Sequence, residues 1–317
     1  MFKKILICIL AFSMTMLCGC TSESDNNIKD NKLSIVTTIF PAYDFARQIF
    51  GNNAEITLLL KPGMESHSYD PGAKDIIKIM NCDLFIYNGG ESDVWVENII
   101  ESAKESESFK ALKMMDAVNA LEEEPLEGIK SEEHHHEEDS EEEYDEHIWT
   151  SPKNAVKIVN HIKNSAVELQ PSISDEYEAN ASEYVSRLND IDRRFSELLK
   201  GEERYFVFGD RFPMLYFFKE YNLNYYAAFP GCGSETEPSA QSIAFLTEKL
   251  KGNDTIDAVF YIELSNHKLA DTLANDTNLP SFEFHGCHNI TSDDFEAGET
   301  YISLMERNYS MLEEVLL

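Results

Sequence analysis

Positive charge is scarce in this sequence, which has 26 Lys and Arg residues against 58 Asp and Glu residues and a formal net charge of −32 at pH 7. A protein that binds nucleic acid needs surplus cations to neutralise phosphates, so a nucleic-acid partner is not expected. Cations and cationic surfaces are the partners that such a charge favours.

Long hydrophobic runs are also missing after the first twenty residues, so no later segment is expected to cross a membrane. The run at residues 5–17 is too short to span a bilayer, follows two lysines and ends in LCGC. This pattern predicts an export signal over residues 1–19.

The LCGC ending resembles a bacterial lipobox, which would make Cys20 the acylated N-terminus; a plain secretory signal is the alternative. Residues 20–31 are polar, which predicts a flexible tether on the extracellular face of the cell membrane.

Cysteine is sparse beyond this leader, where Cys82, Cys232 and Cys287 remain. An export context permits a disulfide. Cys232 and Cys287 both lie in loops after predicted strands, in FPGCGSE and FHGCHN, whereas Cys82 precedes a strand that looks buried. We therefore predict a Cys232–Cys287 bridge. The competing interpretation is that Cys287 is a soft metal ligand.

Short β-rich runs alternate with helical stretches along most of the chain. Residues 32–150 follow this pattern, beginning LSIVTTIF, PAYDFARQIFG, EITLLL, and residues 202–317 repeat it. Strands separated by helices predict a parallel sheet, so we expect two α/β lobes. Residues 151–201 are helical in pattern, and apolar residues at helical spacing predict one long helix that joins the lobes rigidly.

The most acidic stretch is EEHHHEEDSEEEYDE, within residues 131–147, which holds ten carboxylates together with His134, His135 and His136. Like charges at this density repel one another, so a mobile loop is predicted. Its histidines predict an auxiliary, low-affinity metal collector, because ordering such a loop around an ion costs free energy. A purely solvated spacer is the alternative.

Metal-capable side chains recur where predicted strands or helices end. His67 follows a first-lobe strand, in PGMESHSYDP, and His147 precedes a helix, in DEHIWTSPKNA. In the second lobe Asp210 ends the strand RYFVFGD, and His285 ends PSFEFH with His288 three residues later. The carboxyl ends of parallel strands are where α/β sheets place ligands. One metal site is therefore predicted from His67, His147, Asp210 and His285, with His288 as an auxiliary ligand.

The residue types in this set favour zinc as the bound metal. Three imidazoles and one carboxylate fill the tetrahedral geometry that Zn²⁺ prefers. Manganese sites use more carboxylate and water oxygens, which makes Mn²⁺ the weaker alternative. Ligand type alone does not exclude copper or nickel.

Several motifs resemble those of a transport family. The matching segments are IVTTIFPAYDFARQIFG, PGMESHSYDP, YNGG, DEHIWTSPKNA and ETEPS. Together they are similar to the metal-binding lipoproteins of zinc and manganese ABC transporters, the ZnuA-like solute-binding proteins, over nearly the whole mature length. The resemblance implies two α/β lobes bridged by one long helix, a metal ion in the cleft between them, little hinge motion, and delivery of zinc to an ABC permease. A His-rich acidic loop is typical of the zinc branch.

The chain departs from the family pattern at two positions. Arg211 falls where the family has His or Glu, one residue from Asp210, and His285 stands where the family has Asp. We expect Arg211 to turn away from the metal or to pair with Glu235 or Glu237. The alternatives to Asp210 as fourth ligand are His288, Glu263 and a water molecule.

Two other functions fit parts of the sequence. A surface adhesin or structural lipoprotein would carry the metal site incidentally. A zinc hydrolase would need an open coordination position and a general base, for which Glu65 or Glu263 is available, but the sequence contains no HExxH motif. Capture of zinc for a permease, without enzymatic activity, is therefore the expected function.

Overall fold

The structure, a computed structural model, describes residues 32–64, 69–103, 109–127, 144–231, 239–253 and 255–317. These residues form eight strands and ten α-helices, joined by short 3₁₀ turns and loops. None of the helices in the described ranges has the length and apolar composition needed to cross a bilayer. Several predictions fall outside these ranges, namely the leader, the tether, Cys20, Glu65, His67, His134, His135, His136, Cys232, Glu235 and Glu237.

The first lobe is a parallel sheet with helices between its strands. Its strands are β1 Leu33–Thr37, β2 Ala54–Leu58, β3 Leu84–Tyr87 and β4 Ala111–Lys113. Its helices are α1 Phe40–Phe50, α2 Ala73–Met80 and α3 Val94–Ala103. The strands lie in the order β2-β1-β3-β4 and every pairing is parallel. The carboxyl ends of all four strands therefore face one edge of the sheet.

The second lobe repeats this arrangement. Its strands are β5 Tyr205–Phe212, β6 Asn224–Pro230, β7 Val259–Tyr261 and β8 Ser281–Glu283. Its helices are α6 Leu215–Tyr221, α7 Ala240–Leu250 and α8 Lys268–Thr277. The order β6-β5-β7-β8 is again fully parallel. The predicted pair of parallel-sheet α/β lobes is thus confirmed.

Two helices connect the sheets, and two more end the chain. They are α4 Pro152–Leu169, α5 Ser174–Leu198, α9 Ser292–Ala297 and α10 Tyr301–Leu316. Helix α4 begins as its sequence predicts, because the Ser151 hydroxyl accepts the Asn154 N–H and Pro152 holds the first position. Helix α5 has 25 residues and buries a stripe of side chains at helical spacing, namely Tyr177, Ala181, Tyr184, Leu188, Ile191 and Phe195.

The largest hydrophobic core is continuous between the lobes. It contains Ile35 of β1, Leu188 of α5 and Phe260 of β7, among many others. Two smaller clusters lie apart from it, one around Phe85 of β3 and one around Val207 of β5. Each sheet therefore contributes one face to the shared core and the other face to a local core.

Some local predictions needed correction. The short strand β4 was not predicted. Strand β5 continues two residues beyond Asp210, with an irregularity in its pairing between Phe208 and Arg211. The end of the chain forms two helices, because Gly298 adopts a left-handed conformation with φ +80° and ends the first of them.

The Cys232–Cys287 disulfide stays a prediction, because Cys232 lies outside the described residues. Cys287 itself is buried. Burial, together with the charge of Glu263 and other carboxylates, raises the pKa of the Cys287 thiol well above its ordinary value. Disulfide formation proceeds through the thiolate, which this environment disfavours.

A buried carboxylate joins the first lobe to one connecting helix and to the last helix of the chain. Asp44 of α1 is fully buried, and its Oδ1 accepts a hydrogen bond from Arg47 Nε at 2.8 Å. Its Oδ2 accepts from the Tyr184 hydroxyl of α5 at 2.9 Å and from the Tyr301 N–H of α10 at 2.8 Å. Hydrogen bonds to the Asp44 carboxylate therefore link the helices α1, α5 and α10.

We predict that Asp44→Ala lowers the free energy of unfolding by about 3–5 kcal/mol, because it leaves the buried Tyr184 and Tyr301 donors and the Arg47 charge without their acceptor. Urea unfolding followed by circular dichroism measures the change. Glu178→Ala, on the exposed side of α5, is the control and should change this free energy by less than about 0.5 kcal/mol. A loss below about 1 kcal/mol for Asp44→Ala would contradict the prediction.

Candidate metal-binding cleft

A cleft lies at the carboxyl ends of the strands of both sheets. Met64, which follows β2, and His147 line it from the first lobe. Glu263, which follows β7, and His288 and Asn289, which follow β8, line it from the second lobe. This is the place where parallel α/β sheets bind ligands.

His147 is held in one orientation by the acidic residue two positions before it. The imidazole is buried, and Oδ1 of Asp145 lies 3.2 Å from its Nδ1 and accepts its backbone N–H at 2.8 Å. The Thr150 hydroxyl also donates to the His147 carbonyl at 2.9 Å. A carboxylate that keeps the proton on Nδ1 leaves Nε2 with a lone pair, which is the arrangement of a metal-binding histidine.

The charges around His147 change its proton affinity. Burial lowers the pKa of the imidazole, but the negative charges of Asp145, Glu146 and Glu123 act in the opposite direction, and the pKa is raised above its ordinary value of 6.5. These carboxylates favour any cation at the ring, a proton or a metal ion alike.

The YNGG motif supports the residue that precedes His147. Nδ2 of Asn88 donates to the Glu146 carbonyl at 2.8 Å, and both the N–H and the hydroxyl of Ser92 bond to the Glu146 carboxylate. Gly90 has φ +85°, and a Cβ there would lie 2.8 Å from Cβ of Glu146. Only glycine fits this conformation and this close approach, so the motif forms a cradle that fixes the chain entering His147.

Glu263 organises the loop that follows β8. Only 6% of this residue is exposed, and its carboxylate accepts the N–H of Gly286 at 2.6 Å and the N–H of His288 at 2.9 Å. A Cβ at Gly286 would lie 3.2 Å from the carboxylate, so the absence of a side chain lets the loop approach. The two backbone bonds fix the path of the chain on either side of Cys287.

His285 is buried beside Glu263 but is not among the residues that line the cleft. Its Nδ1 accepts the Cys287 N–H at 2.9 Å and lies 3.7 Å from Oε2 of Glu263. The Asn308 side chain bonds both the N–H and the carbonyl of His285 at 2.8 Å. A neutral His285 that accepts at Nδ1 carries its proton on Nε2. A metal bound through Nε2 would therefore have to displace that proton.

Asp210 is also engaged by backbone groups. Its Oδ1 accepts the Arg211 N–H at 2.8 Å, its Oδ2 accepts the Ile262 N–H at 3.4 Å, and 9% of the residue is exposed. Arg211 itself lines the cleft, and its orientation, turned away from the metal or paired with Glu235 or Glu237, stays a prediction. Its expected partners, Glu235 and Glu237, lie outside the described residues.

The structure brings His147 and His288 together. Their ring centroids are 5.3 Å apart, and the indole of Trp149 lies 4.9 Å from His288. Within the described ranges, no three His, Cys, Asp or Glu side chains converge closely enough to hold a metal ion. His67 is outside those ranges, so the four-residue ligand set stays a prediction.

The supporting roles of four residues were not predicted from the sequence. These residues are Asn88, Asp145, Glu146 and Asn289. Asn88 lies in the YNGG motif and Glu146 in the DEHIW motif. The motifs indicated the region of the site, but not the hydrogen bond between Asn88 and Glu146. The spacing DxH was the one available signal for Asp145. Asn289 contacts residues more than 220 positions away, and no local pattern predicts such a contact.

Comparisons with known proteins agree with this architecture. Residues 35–315 match the family model ZnuA, described as zinc-uptake complex component A periplasmic. The chain is 31% identical over 323 residues to the high-affinity zinc uptake system protein ZnuA of Bacillus subtilis, which covers 100% of the chain and 99% of that protein. It is 31% identical over 315 residues to the zinc-binding lipoprotein AdcA of Streptococcus pneumoniae, covering 98% of the chain but 61% of that longer protein.

A solved structure from the same family of relatives has a similar fold. The crystal structure of the Zn(II)-bound ZnuA-like domain of Streptococcus pneumoniae AdcA superposes with a TM-score of 0.74 at 30% identity. The match covers 90% of this chain and 99% of that domain. By its sequence and its two-lobed fold, the chain belongs to the ZnuA family.

Proposed function

We propose that this protein captures Zn²⁺ outside the cytoplasmic membrane and delivers it to an ABC permease for uptake. The observation that carries the proposal is the buried His147, oriented by Asp145 and facing His288 in a cleft between two lobes. The zinc in the names of the family and of the relatives supports the same metal. Mn²⁺ remains the weaker alternative.

The proposed ligands are His67, His147, Asp210 and His285. His147 has the strongest support, because its ring is already oriented by a carboxylate. Asp210 has the weakest support, because both of its oxygens accept backbone N–H groups. His288 and Glu263 line the cleft and are the alternatives for the fourth position.

We further propose that the protein is anchored by lipid at Cys20 on the extracellular face of the bacterial cell membrane. Residues 1–19 would be the signal peptide and residues 20–31 the tether. The LCGC sequence and the lipoprotein name of the Streptococcus pneumoniae relative support this anchor. The mature chain would then comprise a first lobe at 32–150, a helical connection at 151–201 and a second lobe at 202–317.

The other two functions are not favoured. The family model and both sequence relatives are named for zinc and not for adhesion. A hydrolase would need a general base that can accept a proton from water. Glu263, the candidate base within the described residues, instead accepts two backbone N–H groups.

Zinc titration of the metal-free protein tests the function. We expect His147→Ala to weaken zinc affinity by more than 100-fold and Asp145→Asn by about 10–100-fold, since an outer-sphere carboxylate orients the ligand without touching the metal. Competition against a chromophoric chelator measures both constants. His161→Ala, on α4, is the matched control and should bind like the wild type. A wild-type protein without tight zinc binding would refute the proposed function.

Zinc affinity should also decrease as the pH is lowered, because protons then compete with zinc for His147. Zinc binds the deprotonated ring, and the raised pKa of His147 means that protons compete at a higher pH than they do for a free imidazole. Removing the neighbouring charge in Asp145→Asn lowers that pKa, so the pH at which affinity begins to decline should move down. Zinc titrations from pH 5 to 8 measure the shift, and an upward movement would contradict the assignment.

The acidic loop is proposed as a weak accessory collector through His134, His135 and His136. Deleting residues 132–143 should leave one tight zinc site and remove additional weak binding. Isothermal titration calorimetry separates the two classes, because only the weak class should disappear. Loss of the tight site in the deletion variant would show that the loop belongs to the principal site.

A further inference from the structure

We propose that Asn289 is a positioning residue that clasps the turn Lys61–Met64 of the first lobe and thereby slows the release of zinc from the cleft. The release step rests on the proposed function. The clasp itself is a contact between the two lobes and can be tested without metal.

Three hydrogen bonds form the clasp. Nδ2 of Asn289 donates to the Lys61 carbonyl at 3.0 Å and to the Met64 carbonyl at 2.7 Å. The Gly63 N–H donates to the Ile290 carbonyl at 2.8 Å. Only 3% of Asn289 is exposed, so water competes poorly for its amide. Both donor protons of one side chain are thus committed to the opposite lobe.

The clasped segment is a tight turn with its own structure. The Met64 N–H donates to the Lys61 carbonyl at 3.1 Å, and Gly63 has φ +81°. Proline followed by a glycine of positive φ occupies the central positions of a type II turn. Because Asn289 bonds the carbonyls at both ends of this turn, it holds the turn as one unit.

The second-lobe side of the clasp is fixed before it meets the turn. Oδ1 of Asn289 accepts the Ile290 N–H at 2.8 Å, which orients the carboxamide. Upstream, Glu263 bonds the N–H of His288, and Trp149 Nε1 donates to the Gly286 carbonyl at 2.8 Å. Because these bonds hold the second-lobe loop in place, the loop cannot follow the turn if the turn moves away. Such a movement of the turn would therefore have to break the hydrogen bonds of the clasp.

The position of the clasp connects it to metal release. Met64 and Asn289 both line the cleft, and His67 follows Met64 by three residues in the sequence. Withdrawal of the turn at residues 61–64 would break the three hydrogen bonds. Asn289 acts through the turn, since both of its side-chain donor protons are bonded to the Lys61 and Met64 carbonyls. Its loss should therefore raise the rate of zinc dissociation more than it changes the rate of association.

Zinc release from the wild type, Asn289→Ala and Asn180→Ala tests the proposal. Each protein is loaded with one equivalent of zinc and mixed with excess chelator in a stopped-flow instrument. We expect Asn289→Ala to dissociate about 10–100-fold faster, with an association rate constant within about threefold of the wild type. Asn180 is the matched control, because its Nδ2 also donates to a backbone carbonyl, that of Ile49 at 3.0 Å, between α5 and α1.

Amide hydrogen exchange of the metal-free protein gives a second measurement. It distinguishes local opening of the clasp from a general loss of stability, which would speed exchange at both of the amides compared below. The Gly63 amide should exchange faster in Asn289→Ala, whereas the Leu59 amide, which donates to the Thr37 carbonyl at 2.9 Å, should stay protected. Asn289→Leu is the second variant, since it keeps a side chain of similar size, has no donor for the turn and adds no charge to the cleft. It should behave like Asn289→Ala and serves if that variant does not fold.

The outcomes separate the two claims. Unchanged zinc dissociation in folded Asn289 variants overturns the role in release, whatever the exchange of Gly63. Unchanged Gly63 exchange overturns the clasp. A wild type that binds no zinc refutes the proposed function, whereas a wild type that binds zinc tightly alongside unchanged variants refutes this inference alone.

Discussion

The apolar stripe of α5 lies against both lobes, and the position of the cleft depends on that packing. Tyr184 and Leu188 are buried in a core that also contains Ile35 of the first sheet and Phe260 of the second. Separating the lobes would expose this core to water, at about 25 cal/mol for each Å² of apolar surface. The lobes are therefore held at a fixed spacing, and the edges of their sheets define a preformed cleft.

Buried carboxylates order the loops of this cleft. Asp145 fixes the ring of His147, and Glu263 fixes the backbone around His288. Each carboxylate is hydrogen-bonded, which offsets the cost of burying its charge. The same negative charges attract a cation into the cleft. The supporting groups thus combine two effects, the preorganisation of ligands and a favourable potential for the metal.

The fold was more predictable from the sequence than the site. Alternating β-rich and helical runs predicted both sheets, and the period of α5 predicted its buried stripe, because these signals repeat over many residues. A three-residue strand such as β4 carries too little signal. Asp210 was placed at a strand end, but the strand continues and its pairing shifts between Phe208 and Arg211, which changes the direction of side chains. The anchoring of His285 by Asn308 and the reach of Asn289 depend on contacts between distant segments.

Trp149 gives the cleft an optical property of its own. Its indole is fully buried, donates to the Gly286 carbonyl, and lies 5.5 Å from the His147 ring and 4.9 Å from the His288 ring. The sequence contains one other tryptophan, Trp95, which packs on Tyr69 and Phe85 in the first lobe. A divalent cation beside His147 would change the electric field at the nearby indole, and the low dielectric of the interior would transmit that change. Intrinsic fluorescence can therefore serve as a label-free sensor of this cleft.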